Sequence, residues 1–238
     1  MFRRCLATRL NFVISFLFWR FSLIMEVQKI SPPIHGFLQV KLDQVIVDYL
    51  WKIIDISKNK NINNKSRLIG NISQSILLED IDSFFFESVC VPLVKFYRDD
   101  SCFGRDPICP NTIDTGKAGL KLDSMWVNYQ FKTEFNPYHD HSGAYSFAIW
   151  MKIPYSWEEQ KQLSQFNDIE ESNRKVGNFE IEYTDSLGEI RNYAYNLSPD
   201  FEGIMLFFPA RLRHCVYPFY ETDEPRISIA GNLSYLPV

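Results

Sequence analysis

Between Leu42 and Ile56, apolar side chains fall at Leu42, Val45, Ile46, Tyr49, Leu50, Ile53 and Ile54. On a helix this spacing makes one apolar stripe, with Asp43, Asp48, Lys52 and Asp55 mostly on the other side. An amphipathic helix is therefore expected there. The Asn- and Lys-rich stretch Ser57–Arg67 reads as an exposed loop. A second helix is expected from Asp80 to about Cys90, resuming after Pro92 through Tyr97. The Pro-, Gly- and Cys-bearing stretch Asp100–Gly119 reads as irregular.

After Lys121 the period changes to two. Short runs rich in β-branched and aromatic residues, separated by turn residues, predict strands near Lys121–Lys132, Ser146–Ile153, Asn178–Tyr183, Ile190–Asn196, Gly203–Phe208, His214–Pro218 and Arg226–Ser234. Asp185-Ser186-Leu187-Gly188 is expected to be a hairpin connection. The polar stretch Tyr155–Gly177 reads either as a lid or recognition loop at a barrel mouth or as a solvated excursion. Two or three N-terminal helices followed by many short strands predict an α+β fold whose sheet is rolled into a barrel or double-sheet jelly roll.

Composition narrows the function classes. Net charge is -4 and no Lys/Arg stripe runs through the body, so the electrostatic footprint of a nucleic-acid binder is missing. Five cysteines (5, 90, 102, 109 and 215), odd in number and without a CxxC, argue against a disulfide framework or a zinc ribbon. Reduced thiols and a cytoplasmic location fit better. Residues 1–24 differ from the rest: Arg3, Arg4, Arg9 and Arg20 bracket the apolar run Leu10–Trp19, which is too short to span a bilayer. They read as an N-terminal extension, either a targeting segment or a mis-called start upstream of Met25, and residues 25–238 as one domain.

Three of the four histidines carry the candidate chemistry. His139 and His141 form an H-x-H pair, and in extended chain residues two apart share a face, so both rings can aim at one point. His214 begins a late strand that an antiparallel barrel can bring alongside. Three neutral imidazoles on one side of a metal ion leave its other positions open. Against this stands the commoner role of a histidine as a hydrogen-bonded structural residue. His35 receives no role. Further on, Arg226 and Ser228 alternate with Ile227 and Ile229 and so share a strand face. A guanidinium inside a barrel calls for a carboxylate, which its fork can bind with two parallel hydrogen bonds. The plainer alternative is an Arg at the surface, or one paired with an acid such as Asp223.

Together, H-x-(D/E/H), a distal His and a following Arg-x-Ser resemble the iron(II)/2-oxoglutarate-dependent dioxygenases of the double-stranded β-helix fold. The likeness is nearest to the oxygenases of marine phages and their hosts, through Asn136–Gly143, Ile149–Pro154 and Arg226–Asn232. The resemblance implies a cupin-like barrel with the N-terminal helices packed on its sheet. It implies iron(II) held by His139, His141 and His214, and 2-oxoglutarate bound by Arg226 and Ser228. O2 and an unidentified organic substrate, a protein side chain or a small metabolite, complete the reaction. By the same analogy Asn128, alternating with Trp126 and Gln130 on an early strand, is a candidate contact for the cosubstrate. The commonest triad has a carboxylate where this chain has His141, so either His141 replaces it or a local bend brings Asp140 to the metal; the strand period favours His141. Two other functions remain open: a three-His dioxygenase that needs no 2-oxoglutarate, and a non-catalytic jelly-roll module with structural histidines.

Overall fold

The computed structural model describes residues 36–60, 62–99 and 119–236. The N-terminal extension, His35 and nearly all of the stretch expected to be irregular lie outside them.

Strand β1 (Leu38–Lys41) leads into helix α1 (Gln44–Lys60), and β2 (Gln74–Leu78) follows. The helix runs four residues into the expected loop, with Lys58 and Lys60 in its last turn, where cations offset the partial negative charge of the helix end. The second helical region is not continuous. A 3-10 turn (Ile81–Ser83) passes into a π-turn (Phe86–Cys90) and then α2 (Val91–Asp99). Pro92, near the start of α2, has no N–H to return to the preceding turn. Asp80 anchors the entry by accepting from the backbone N–H groups of Phe85 and Phe86 at 2.9 and 2.8 Å.

The remaining strands are β3 (Leu120–Gln130), β4 (Asn136–His139), β5 (Tyr145–Lys152), β6 (Asn178–Thr184), β7 (Ile190–Asn196), β8 (Ile204–Pro209), β9 (Arg213–Val216) and β10 (Arg226–Tyr235). They form a six-stranded sheet in the order β1-β8-β5-β10-β3-β2 and a four-stranded sheet in the order β4-β9-β6-β7. All pairings are antiparallel. From β3 onward the chain passes back and forth between the sheets, except at the β6–β7 hairpin, whose two consecutive strands both lie in the smaller sheet. This is a double-stranded β-helix. The sequence pattern missed β1, β2 and β4 as strands.

One core lies between α1, α2 and the outer face of the large sheet, where Leu50, Ile54, Phe85 and Tyr97 meet Val127, Ile149, Phe207 and Ile229. A second fills part of the space between the sheets, around Trp150, Phe179, Tyr195 and Phe208. Period-two alternation then decides what is left facing inward. On β10, Ile227 and Ile229 join the outer core, which turns Arg226, Ser228 and Ala230 to the interior; on β3, Val127 and Tyr129 do the same for Trp126, Asn128 and Gln130. The helices are therefore what commits these strands to a polar inner face. Among the described residues, no helix is long and apolar enough to cross a membrane.

Candidate metal site and adjoining cavity

His139 and His214 sit directly opposite each other in the β4–β9 pairing. His141 lies just past the end of β4, held by its backbone N–H donating to the Ala210 carbonyl at 2.8 Å. Cross-strand neighbours bring side chains together, and the ring centres are 4.3 Å apart for 139–214, 5.0 Å for 139–141 and 5.1 Å for 141–214. One nitrogen from each ring lies within 4.8 Å of the others, a cluster able to hold a metal ion after small ring rotations. Asp140 does not join the cluster. Its carboxylate turns outward to Arg211 at 3.8 Å.

Two of the histidines are held in one neutral form. The Nδ1 groups of His139 and His214 face the carbonyls of Pro137 at 2.7 Å and Leu212 at 3.0 Å. Each carbonyl fixes the proton on Nδ1 and leaves Nε2 with its lone pair, the arrangement typical of metal-binding histidines. Phe179 stacks on His214 and Phe208 packs edge-on against it. Burial among such groups pushes the pKa of His214 well below its ordinary value. Burial, with the charge on His139 as a second cause, lowers His141 to about 4, and burial lowers His139 as well. Asn136 donates from Nδ2 to His139 Nε2 at 3.1 Å, so this amide holds the lone pair that a metal would take over.

The cluster opens onto a cavity of about 460 Å³, within the usual range for small-molecule sites. Arg226, Ser228 and Asn128 all line it. Arg226 is 1 % exposed. Its Nη2 donates to Gln130 Oε1, and its Nη1 donates to the Tyr155 hydroxyl at 2.5 Å and to the Gly177 carbonyl at 3.3 Å. None of these partners is acidic, and Asp223, the acid expected to neutralise a surface arginine, pairs with Lys132 instead. Three hydrogen bonds from five N–H donors leave Nε–H and one Nη2–H uncommitted. A buried cation without a counter-ion is costly unless an anion joins it. Nearby, Trp126 Nε1 and Asn128 Oδ1 are buried in the cavity wall without hydrogen-bond partners, which marks a site shaped for a polar ligand.

Sequence reasoning undervalued three residues. Trp126 reads as core by type, yet it lines the cavity and its buried indole N–H has no partner among the described residues. Gln130 and Tyr155 hold Arg226 in place, but contacts across such long loops leave no periodic trace. The Tyr155–Gly177 stretch carries a short helix, α3 (Trp157–Gln160), and none of its residues lines the cavity. Its two ends, Tyr155 and Gly177, support Arg226.

Residues 124–232 match a family described as "Putative 2OG-Fe(II) oxygenase". No curated protein matches the sequence. Among solved structures, the chain is similar to a prolyl-4-hydroxylase of Pseudomonas putida, with 12 % identity over 85 % of this chain and 94 % of that one and a TM-score of 0.49. It is also similar to a 2OG-Fe(II) oxygenase-family oxidoreductase of Burkholderia pseudomallei, with 12 % identity, 84 % of each chain and a TM-score of 0.47. A third is the viral collagen prolyl hydroxylase of Paramecium bursaria Chlorella virus-1, with 10 % identity, 83 % of this chain and 94 % of that one and a TM-score of 0.46.

Proposed function

We propose that the chain, which matches the 2OG-Fe(II) oxygenase family over residues 124–232, is an iron(II)- and 2-oxoglutarate-dependent oxygenase of an organic substrate. One observation carries the reading: three imidazoles and a buried arginine with no acidic partner among the described residues line a single cavity. His139, His141 and His214 would hold the iron, and the carbonyls of Pro137 and Leu212 keep two of those rings neutral and aligned. When bound, the iron supplies the oxygen chemistry that couples decarboxylation of 2-oxoglutarate to succinate with oxidation of a C–H bond.

The remaining roles belong to side chains. Arg226 receives the distal carboxylate of 2-oxoglutarate on Nε–H and Nη2–H, while Gln130, Tyr155 and Gly177 keep the guanidinium from swinging. Ser228, one strand period away, adds a hydroxyl, and Asn128 faces it across the β3–β10 pairing. Trp150, Phe179 and Phe208 line the interior with apolar surface, which limits water and strengthens every charge interaction inside.

The test is an anaerobic titration with iron(II) and then 2-oxoglutarate, followed through the metal-to-ligand charge-transfer band of the chelate. The band should appear in the wild type, be absent in His214→Ala and demand far more 2-oxoglutarate in Arg226→Ala. A wild-type protein with no band refutes the proposal. A second reading is favoured by the ligand set, which contains no carboxylate now that Asp140 faces Arg211: a three-His dioxygenase in which Arg226 binds the substrate's own carboxylate. Turnover without succinate release would select it.

A further inference from the structure

Strands β3 and β10 run side by side along the floor of the cavity. The pair Arg226–Gln130 lies at one end and Asn232–Ser124 at the other. Six residues of strand separate these ends, about 20 Å at the usual rise. His141 packs against Trp126, nearer the second end. The cavity thus has a closed end at Arg226 and an open end beyond the imidazoles, and the groups at the open end face whatever is oxidised.

Part of that end comes from a strap, residues 62–72, which joins α1 to β2 and is bridged on one side to β2 and on the other to Phe135, just before β4. Asn63 bridges to Ile76, and the Asn64 N–H donates to the Ser75 carbonyl at 2.9 Å. A 3-10 turn (Lys65–Arg67) follows, closed by the Arg67 N–H on the Asn64 carbonyl at 3.0 Å. At the far side Asn71 and Phe135 exchange backbone hydrogen bonds at 2.9 and 3.2 Å. Gly70 is packed so tightly there that a Cβ would lie 2.3 Å from Asn136 Oδ1. Both ends are pinned, so the side chains between them, Asn64, Arg67, Leu68 and Ile69, are presented to the cavity from a fixed frame.

Their chemistry is uneven. Asn64 is 3 % exposed, and its Oδ1 has no hydrogen-bond partner although the residue lines the cavity. Two acids stand at the same opening and both are already matched: Asp123 by Lys121 at 2.7 Å and by Ser234, and Asp140 by Arg211. Arg67, the third charged group there, has no acidic partner among the described residues, and apolar Leu68 and Ile69 follow it. The charge left over at the substrate end is positive. An unpartnered buried carbonyl beside it asks for a donor.

We infer that the strap selects an anionic organic substrate, with a carboxylate or phosphate held by Arg67, an N–H or O–H donor on Asn64 Oδ1, and an apolar portion against Leu68 and Ile69. This rests on the reading of the imidazoles as an iron site and of Arg226 as the cosubstrate anchor. It names what the opposite end of the cavity accepts.

The test uses the full chain loaded with zinc(II), as a redox-inert metal, and saturated with 2-oxoglutarate. Three probes of matched shape are titrated by calorimetry: N-acetyl-L-aspartate amide, N-acetyl-O-phospho-L-serine amide and the neutral N-acetyl-L-asparagine amide. At least one anionic probe should bind about tenfold more tightly than the neutral one, the worth of one charge-assisted contact at a partly open site. The better of the two identifies carboxylate or phosphate. Arg67→Gln should erase that preference and Arg67→Lys should restore part of it; because Arg67 is exposed, neither change threatens the fold. Equal binding of all three probes, binding of none, or a preference that survives Arg67→Gln overturns the inference. The charge-transfer titration of iron and 2-oxoglutarate should be the same in Arg67→Gln as in the wild type. Loss of that band in the wild type would instead sink the functional reading.

Discussion

Replacing Arg226 with methionine separates what this residue does for the fold from what it does for ligand binding. In the ligand-free protein the guanidinium makes three hydrogen bonds. At about 1.5–3 kcal/mol each for a charged donor these contribute roughly 5–9 kcal/mol, against a desolvation penalty of several kcal/mol for the buried ion. The two largely cancel. Methionine fills most of the volume, and Tyr155 keeps its 2.8 Å hydrogen bond to the Gly177 carbonyl. The main residual cost is Gln130 Oε1, which loses its donor at about 1–3 kcal/mol. For a chain of this size each kcal/mol moves the melting midpoint by roughly 2–4 °C, so Arg226→Met should melt within about 10 °C of the wild type. Binding of 2-oxoglutarate should suffer far more. Losing two charge-assisted hydrogen bonds removes about 3–6 kcal/mol, or roughly two to four orders of magnitude in affinity. Thermal melts with zinc(II), with and without 2-oxoglutarate, measure both effects. At a hundredfold excess over its dissociation constant the ligand adds about 2.7 kcal/mol to the wild type, a shift the variant should lack. An affinity within about threefold of wild type, or outright unfolding, would refute the argument.

Other expectations follow from the same geometry. Equilibrium dialysis should find stoichiometric metal in Asp140→Asn and little in His141→Ala; the reverse pattern would put Asp140 in the ligand set after all. Acid should destabilise the metal-free chain through the histidines. Their folded pKa values lie below the ordinary 6.5, so the unfolded chain takes up protons first, and stability present above pH 6.5 is lost as pH falls toward each folded value. For His141, lowered to about 4, the difference is on the order of 3 kcal/mol. Urea midpoints that do not change between pH 7 and 4.5 would contradict this. Gly177 has a φ of +65°, and an added Cβ would lie 2.8 Å from Tyr155 Cε2. Gly177→Ala should therefore cost about 1–3 kcal/mol of stability and weaken 2-oxoglutarate binding by displacing Tyr155 from Arg226, both readable from paired melts.

Much of this site was legible before any coordinates, for a definable reason. Alternation on β10 is unambiguous because Ile227 and Ile229 leave Arg226 and Ser228 only one face, and the H-x-H pair reads the same way. Only the outer helices decide that this face is interior, and their stripes could also be read. What stayed hidden was pairing. Nothing in Gln130 or Tyr155 announces a partner at Arg226, since a hydrogen bond across 96 or 71 residues imposes no period on the chain. The role of Tyr155–Gly177 stayed open for a related reason: polarity marks a segment as solvated but does not say which end of a barrel it covers. The strap escaped notice because Asn- and Lys-rich chain looks the same whether it lines a cavity or faces bulk water.

Charge balance joins these parts into one argument. A divalent ion held by three neutral imidazoles would keep both of its charges, because Asp140, the acid nearest in sequence, is turned to Arg211. Arg226 adds a third positive charge to the same cavity without an acidic partner, and Asp123 is spent on Lys121. Inside apolar walls this excess is not screened as it would be in water, so the loaded site can be neutralised only by anions that enter it. On the proposed reading, the two negative charges of 2-oxoglutarate would answer the metal and Arg226, and an anionic substrate would answer Arg67. On the same reading, His141 in the place of the usual carboxylate ligand would raise the demand of the whole cavity for anionic ligands, with Arg226 and Arg67 as the donors to meet it.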